Sequence, residues 1–297
     1  MYIRVLGSGC GSGIPAWNDG SEMALRARKN EASVPRREGA ALAVSADGER
    51  YAILEAPLHL PSTLSKSQPF APQPGTRKSP IDALVLTSAD LDASAGILGF
   101  ASSLSVRILS PIGLRDGLAE AGGAYHALDA VWTACAWDRP FLLDREEVLE
   151  ARFFPLPGPA PGPLRESAPK IGRSRCGIRI TDLRTGVRLV WAPRITRFDS
   201  ACLAELRSAD VRFVDGTYYA SEEVRSNHPG AIDSAAAGHA PIDGKDGSLV
   251  WLAGMRGRSL YIHLASSNPA CDTGSPESER IQAAQVEVAR DGQEFSF

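Results

Sequence analysis

No apolar run in this 297-residue chain reaches the roughly 18 residues that a membrane-spanning helix needs. The first residues, Met1-Tyr2-Ile3-Arg4-Val5-Leu6, read as a strand leading into glycines and not as the apolar core of a secretion signal, so a cytoplasmic protein away from membranes is expected. Charge of one sign is lacking too: 32 Lys+Arg against 35 Asp+Glu leave a formal −3. The basic clusters Arg26-Ala27-Arg28-Lys29 and Arg36-Arg37 are short and carry no interleaved aromatics, which argues against a nucleic-acid partner. Cysteine is sparse. Cys10, Cys135, Cys176, Cys202 and Cys271 are odd in number and scattered, without a C-x-x-C pair, so neither a disulfide framework nor a zinc knuckle is indicated and reduced, mostly buried thiols are expected. No period of about 20 to 50 residues repeats, which excludes a solenoid.

What the chain has in abundance is turn formers: 28 glycines and 21 prolines, about a sixth of it, predicting short elements joined by many turns. Apolar runs bounded by turn residues predict strands at Tyr2–Leu6, Ala40–Ser45, Tyr51–Glu55, Ala83–Thr87, Val106–Leu109, Val187–Ala192, Val211–Val214 and Ser259–Leu264. Asp47-Gly48 and Thr185-Gly186 lie between paired runs, as hairpin turns do, and helical patterns such as Ser200–Ser208 alternate with the strands. Strands interleaved with helices imply a layered α/β protein. Trp132 and Trp137 bracket Cys135 with the spacing of a packed amphipathic helix. The stretch Phe154–Lys170 is too rich in proline for a central strand or a helix and is expected as a long loop or lid within one domain spanning residues 1–297.

Several strand ends carry chemistry. Gly7, Gly9, Gly11 and Gly13 follow the first strand, but the dinucleotide fingerprint fails at Ser12 or Ile14, and a close-packed turn lining a site is the expectation. In Leu84–Ile97 a buried strand runs into Asp90 and Asp92, at the sheet edge where α/β proteins bind ligands, with capping of the next helix as the plainer role. Phe213-Val214-Asp215-Gly216-Thr217 repeats the pattern with a second strand-end acid. His263 ends another strand and opens a polar loop through Asn268, a common place for an imidazole ligand or base, and His239 is a weaker loop candidate. His59, His126 and His228 are read as ordinary surface or loop residues without an acidic or histidine neighbour at ligand spacing.

In this order the pieces resemble the metallo-β-lactamase superfamily, and within it the protein B family of pyrroloquinoline quinone (PQQ) biosynthesis. The resemblance rests on Val5-Leu6-Gly7-Ser8 with Gly13-Ile14-Pro15-Ala16-Trp17-Asn18, Ala43–Arg50, Leu86-Thr87 with Asp92 and Gly96, Thr181–Gly186, Val214-Asp215-Gly216-Thr217, Gly238-His239, and His263 with Asn268-Pro269 and Ser275-Pro276-Glu277. It implies an αββα four-layer sandwich with a metal site at the sheet edges. The superfamily motif His-x-His-x-Asp-His stands here as Ser88-Ala89-Asp90-Leu91-Asp92-Ala93, so three histidines are gone, Ala93 being a departure even within the PQQ group; the group's Cys-x-Cys-x-x-Cys knuckle after Trp17-Asn18 is replaced by Asp19-Gly20-Ser21. By resemblance Asp92, Asp215 and His263 are expected to hold one divalent metal, Fe or Zn, with Asp215 and Asp90 catalytic and His239 and Asn268 binding substrate. The resemblance implies a tailoring enzyme of oxygenase or hydrolase type on a small-molecule or peptide-derived substrate. A metal-free carrier of a pathway intermediate is the alternative, and a homodimer is left open.

Overall fold

The protein, seen as a computed structural model, is described over residues 1–11, 13–101, 106–160, 162, 175–227, 230 and 232–297. Two seven-stranded mixed sheets face each other. The first runs in the order β14-β1-β2-β3-β4-β5-β6, with β1 Tyr2–Gly7, β2 Ala41–Ser45, β3 Tyr51–Leu54, β4 Ile81–Val85, β5 Arg107–Pro111, β6 Trp132–Cys135 and β14 Glu294–Ser296. The second runs β13-β12-β11-β10-β9-β8-β7, with β7 Pro140–Leu142, β8 Leu149–Pro155, β9 Cys176–Asp182, β10 Arg188–Ala192, β11 Val211–Asp215, β12 Arg258–Ile262 and β13 Glu287–Val288. Both sheets join an antiparallel meander to a parallel set: β1-β2-β3 to β3-β4-β5-β6, and β8-β9-β10 to β10-β11-β12-β13. Parallel neighbours need crossovers, and helices such as Leu114–Ala121 and Ser200–Arg207 supply them, covering the outer faces.

Strand alternation sets the layers. Val5, Leu42, Val44, Leu54 and Val85 of the first sheet meet Phe153, Ile178, Ile180, Trp191, Phe213 and Leu260 of the second in one apolar cluster between the sheets. Side chains of opposite parity make the outer layers: Ala43, Ile53, Leu84 and Ile108 pack with Leu60, Leu118 and Leu128, while Val190, Val214 and Tyr261 pack with Leu206 and Ile281. This is the αββα architecture read from the sequence. All eight expected strands are present within one to two residues at most ends, and the helix Ser200–Arg207 is capped by Asp199, whose carboxylate accepts the Cys202 N–H at 2.8 Å. All five cysteines are free, four of them buried. No helix among the described residues is long and apolar enough to cross a membrane.

Two expectations are corrected. Trp132–Cys135 is not a helix but strand β6, paired in parallel with β5; only Trp132 and Cys135 of it are buried, and a four-residue edge strand of that pattern imitates helical spacing. Phe154 and Pro155 belong to β8, opposite Gly177 and Cys176. Proline is tolerated there because it is the strand's last residue. Residues 161 and 163–170 of the proline-rich stretch, and His228, lie outside the described residues.

Candidate functional site

The parallel strands of both sheets end at one edge, and the residues just beyond those ends meet there. Glu55 follows β3, Asp90 and Asp92 follow β4, Arg194 follows β10, Asp215 closes β11 with Thr217 two residues on, and His263 follows β12. Glu55 and His263 both leave their strands with left-handed backbone, φ 65 in each, a conformation that side chains other than glycine's avoid and that recurs at functional turns. The glycine turn after β1 is the close-packed lining expected of it. Gly13 has φ +86, and a Cβ there would stand 2.3 Å from the Arg37 carbonyl oxygen, so only glycine fits. Cys10, Gly11, Gly13, Asp90, Asp92, Arg175, Arg194, Thr217, Tyr218, His239 and His263 are among the residues lining a cleft of about 520 Å³.

His263 divides the site. On its Nε2 side, Asp92 Oδ2 lies at 2.8 Å, and the Arg194 guanidinium places Nη2 3.0 Å from Asp92 Oδ1 and 3.1 Å from Nε2 itself. The Gly11 N–H donates to Asp92 Oδ2 at 3.1 Å. Arg194, buried, also faces Asp90 Oδ2 at 3.4 Å and Glu55 Oε1 at 3.8 Å. On the Nδ1 side, Thr217 Oγ1 is 2.8 Å from His263 Nδ1, 2.7 Å from Asp215 Oδ1 and 3.0 Å from His239 Nδ1, and His239 Nδ1 is 2.8 Å from Asp215 Oδ2. The two imidazoles stack at 5.4 Å between centroids. Asp215, fully buried, accepts further bonds from the backbone N–H of Ile195 and Thr217.

The charges follow from these partners. Exclusion of water would raise the Asp92 carboxyl, but Arg194 and the His263 bond outweigh it and hold it well below the usual range. Asp215 behaves alike, lowered against its burial by His239, His263 and Thr217. Burial and the neighbouring Arg194 lower His263, which is therefore a neutral imidazole at pH 7. Burial would also lower Arg194, yet Asp92, Glu55 and Asp90 hold it charged. Glu55 goes the other way: burial lifts it to about 7 despite Arg194 and the bonds from Thr87 and Trp191.

Proton bookkeeping assigns the tautomers. A neutral His263 has one N–H. Placed on Nε2, it donates to Asp92 Oδ2 at 2.8 Å, the bond that helps to hold Asp92 low, while Arg194 Nη2 donates to the other oxygen and Nδ1 keeps a bare lone pair toward Thr217 Oγ1. His239 then donates from Nδ1 to Asp215 Oδ2, and the Thr217 hydroxyl donates to His263 Nδ1 or to Asp215 Oδ1. The opposite tautomer sets a lone pair against a carboxylate oxygen at 2.8 Å with no proton between them.

Of the sequence-derived site residues, Asp90, Asp92, His239 and His263 line the cleft, and Asp215, fully buried and outside the lining, is bonded to His239. Asp90 stands at the N-cap position before the helix Leu91–Ser94 without making a side-chain cap bond; it accepts from Ser88 Oγ at 2.8 Å. Asn268 lies outside the cleft lining: fully buried, it donates to the Gly216 carbonyl at 2.8 Å and accepts from the Ala270 N–H, tying down the loop that carries Thr217. The donor atoms that cluster within 4.8 Å of one another belong to Asp215, His239 and His263, close enough for one ion. The sequence reading overlooked Arg194, Arg175, Glu55 and the role of Thr217. Arg194 had a signal, its place directly beyond a buried strand, but attention to acids and histidines passes over a cation. His59 accepts the Gly39 N–H at 2.8 Å and, contrary to expectation, has an acidic neighbour, Glu38 Oε2 at 3.2 Å from its Nε2. His126 does have an acidic partner after all: Asp129, three residues on, lies at 3.2 Å on the exposed surface.

A sandwich of two mixed sheets with acids and histidines converging at the strand ends defines a class, and the match agrees: residues 60–263 correspond to the Beta-lactamase superfamily domain. Among curated proteins, Coenzyme PQQ synthesis protein B of Xanthomonas euvesicatoria pv. vesicatoria is 33% identical over 309 residues, covering 100% of both chains. That of Ruegeria pomeroyi is 33% identical, covering 99% of each. Among solved structures, Zn(2+)-bound PqqB from Methylobacterium extorquens superposes with a TM-score of 0.90 at 25% identity over 100% of both chains. A diphosphatase of the PhnP family shares the fold, with a TM-score of 0.67 at 17% identity over 100% of this chain and 97% of its own. This chain belongs to the coenzyme PQQ synthesis protein B family of the β-lactamase superfamily.

The residues present fit one ion and not two. Two imidazoles and a carboxylate on the Nδ1 side form a mixed nitrogen and oxygen donor set that leaves coordination positions open. On the Nε2 side a guanidinium already makes the contacts a cation would make. Ala93, where the superfamily motif closes on a histidine, is fully buried and offers no side-chain donor.

Proposed function

We propose that this protein acts in the biosynthesis of PQQ or a related peptide-derived cofactor, as a tailoring enzyme of hydroxylase or hydrolase type that holds one divalent ion through Asp215, His239 and His263. The observation that carries this reading is the convergence of those three donors within 4.8 Å beside the cleft. Charge supports it. Three carboxylates (Asp90, Asp92, Asp215) and a Glu55 only partly ionised near pH 7 face two guanidiniums (Arg175, Arg194), and a divalent cation offsets the negative excess. When bound, such an ion supplies Lewis-acid activation of an oxygen or coordination of a reactant, and the two-imidazole, one-carboxylate set suits iron.

The chain's own residues do the rest. Asp215, fixed by the Ile195 and Thr217 amides, orients His239, and Thr217 orients His263. Asp90 stands at the cleft wall as a proton acceptor, its direction set by Ser88 and its charge balanced by Arg194 and Arg175. Arg175, buried, is anchored on the Gly238 and Pro159 carbonyls and keeps the His239 loop against the cleft. An ion held there would take the place of the proton between His239 Nδ1 and Asp215 Oδ2, which His239 would then carry on Nε2.

The test is anaerobic titration of chelator-stripped protein with Fe2+, Mn2+ and Zn2+. About one equivalent, abolished by Asp215→Asn with His239→Ala, is expected. A second reading, a metal-free carrier that holds an intermediate in the cleft, is favoured by the fact that the donors already satisfy one another. Stoichiometry near zero for all three metals would replace the first reading by this one.

A further inference from the structure

We propose that Arg194 is a resident cation occupying what is otherwise a second metal position, formed by Asp92, His263 Nε2 and Asp90. His263 Nε2 and Asp92 Oδ2, 2.8 Å apart with one proton between them, both stand beside the guanidinium and can serve one ion once that proton leaves. Asp90 Oδ2 lies on the same guanidinium at 3.4 Å, so three donors converge on one charge. Arg194 is almost entirely withdrawn from water, and its Nη1 donates to nothing; it points toward Glu55, whose Oε2 is likewise without a partner. A guanidinium of this kind is not a substrate-binding fork, since its free edge is turned inward to a counter-charge. It is a plug, held from below by Glu55 and in front by Asp92, and the cradle fits a compact divalent cation once the plug is gone.

The consequence is a gain of metal on removing a side chain. The comparison is made between chelator-stripped wild type and Arg194→Ala, each titrated with Mn2+ and Zn2+ by calorimetry and counted by elemental analysis. The variant is expected to take up one equivalent more than the wild type, His263 releasing its ring proton to bridge as an imidazolate where the first position is also filled, and the added equivalent to disappear in Arg194→Ala with Asp92→Asn. Its unfolding midpoint, lowered in chelator, is expected to recover on adding metal more than the wild type's does. Equal stoichiometry in the two proteins would overturn the proposal. Where Arg194→Ala fails to fold, Arg194→Gln, which keeps length and loses charge, is read in the same way, and Arg194→Lys, which keeps charge, is expected to gain nothing. In a protein with Arg194 intact, Asp92→Asn is expected to leave metal uptake unchanged, and a loss of an equivalent there would also contradict the plug.

The inference rests on a difference between two proteins and not on the wild-type count. Zero against one equivalent would sustain it while sinking the one-metal reading above, and one against one would do the reverse.

Discussion

An arginine, an aspartate and a histidine meet twice in this molecule with the same connectivity. On the surface, Arg115 Nη2 donates to one Asp129 oxygen at 2.9 Å and His126 Nδ1 lies 3.2 Å from the other. At the cleft, Arg194 Nη2 donates to one Asp92 oxygen at 3.0 Å and His263 Nε2 lies 2.8 Å from the other. The exposures differ: the side chains of Arg115, Asp129 and His126 are 33%, 41% and 63% exposed, those of Arg194, Asp92 and His263 5%, 24% and 5%. Water screens the first trio, and nothing depends on it. The second is short of water and long on charge, with Glu55 and Asp90 pressing on the same guanidinium. Residue types do not make a site; what surrounds them does.

The sharpest way to break the contrast is to remove the buried cation. Arg194→Met leaves Asp92 and Glu55 uncompensated and is expected to cost about 3–5 kcal/mol in denaturant unfolding without added metal. Next is the pH dependence. Glu55 has its folded pKa raised to about 7, above its unfolded value, so its contribution to stability is complete below about pH 4.5 and is lost as pH rises toward 7. Glu55→Gln, a mimic of the protonated acid, should flatten that decline, worth about 3 kcal/mol across the window, in unfolding curves taken from pH 4.5 to 8.

Asp92 has the opposite sign. Its folded pKa is depressed, so its stabilisation is present above the unfolded carboxylate range near pH 4 and fades as pH falls through the folded value. Asp92→Asn should cost about 1.5–3 kcal/mol at pH 7 and remove that acid limb. The smallest effect is the surface control: Asp129→Asn should leave the unfolding midpoint unchanged within error.

Much of the fold was legible because buried parallel strands write themselves as short apolar runs closed by turn residues. Val211–Asp215 followed by Gly216 is one, and the Asp47-Gly48 and Thr185-Gly186 hairpins punctuate others. Strand β8 went unread although Leu149, Ala151 and Phe153 are buried in alternation with partly exposed Glu150 and Arg152, because the prolines after it drew the boundary too early. The site was legible at Asp92, Asp215 and His263, which sit where strands end. The link between His239 and Asp215 was not, since the two stand 24 positions apart with no periodicity to join them. Arg194 could not be read as a cation in a ligand's cradle because its carboxylate partners come from the other sheet, Asp92 being 102 positions away.

The central claim is that His263 binds Asp92 through Nε2–H and turns a bare Nδ1 toward Thr217 and the Asp215–His239 pair. Two-bond 1H–15N correlation of 15N-histidine protein, chelator-stripped at neutral pH with His263 assigned by its Gln variant, reads this directly. The account predicts an Nε2–H tautomer, its Nδ1 at the shift of an unprotonated nitrogen, and movement toward Nδ1–H in Asp92→Ala. An Nδ1–H tautomer in the wild type would contradict it.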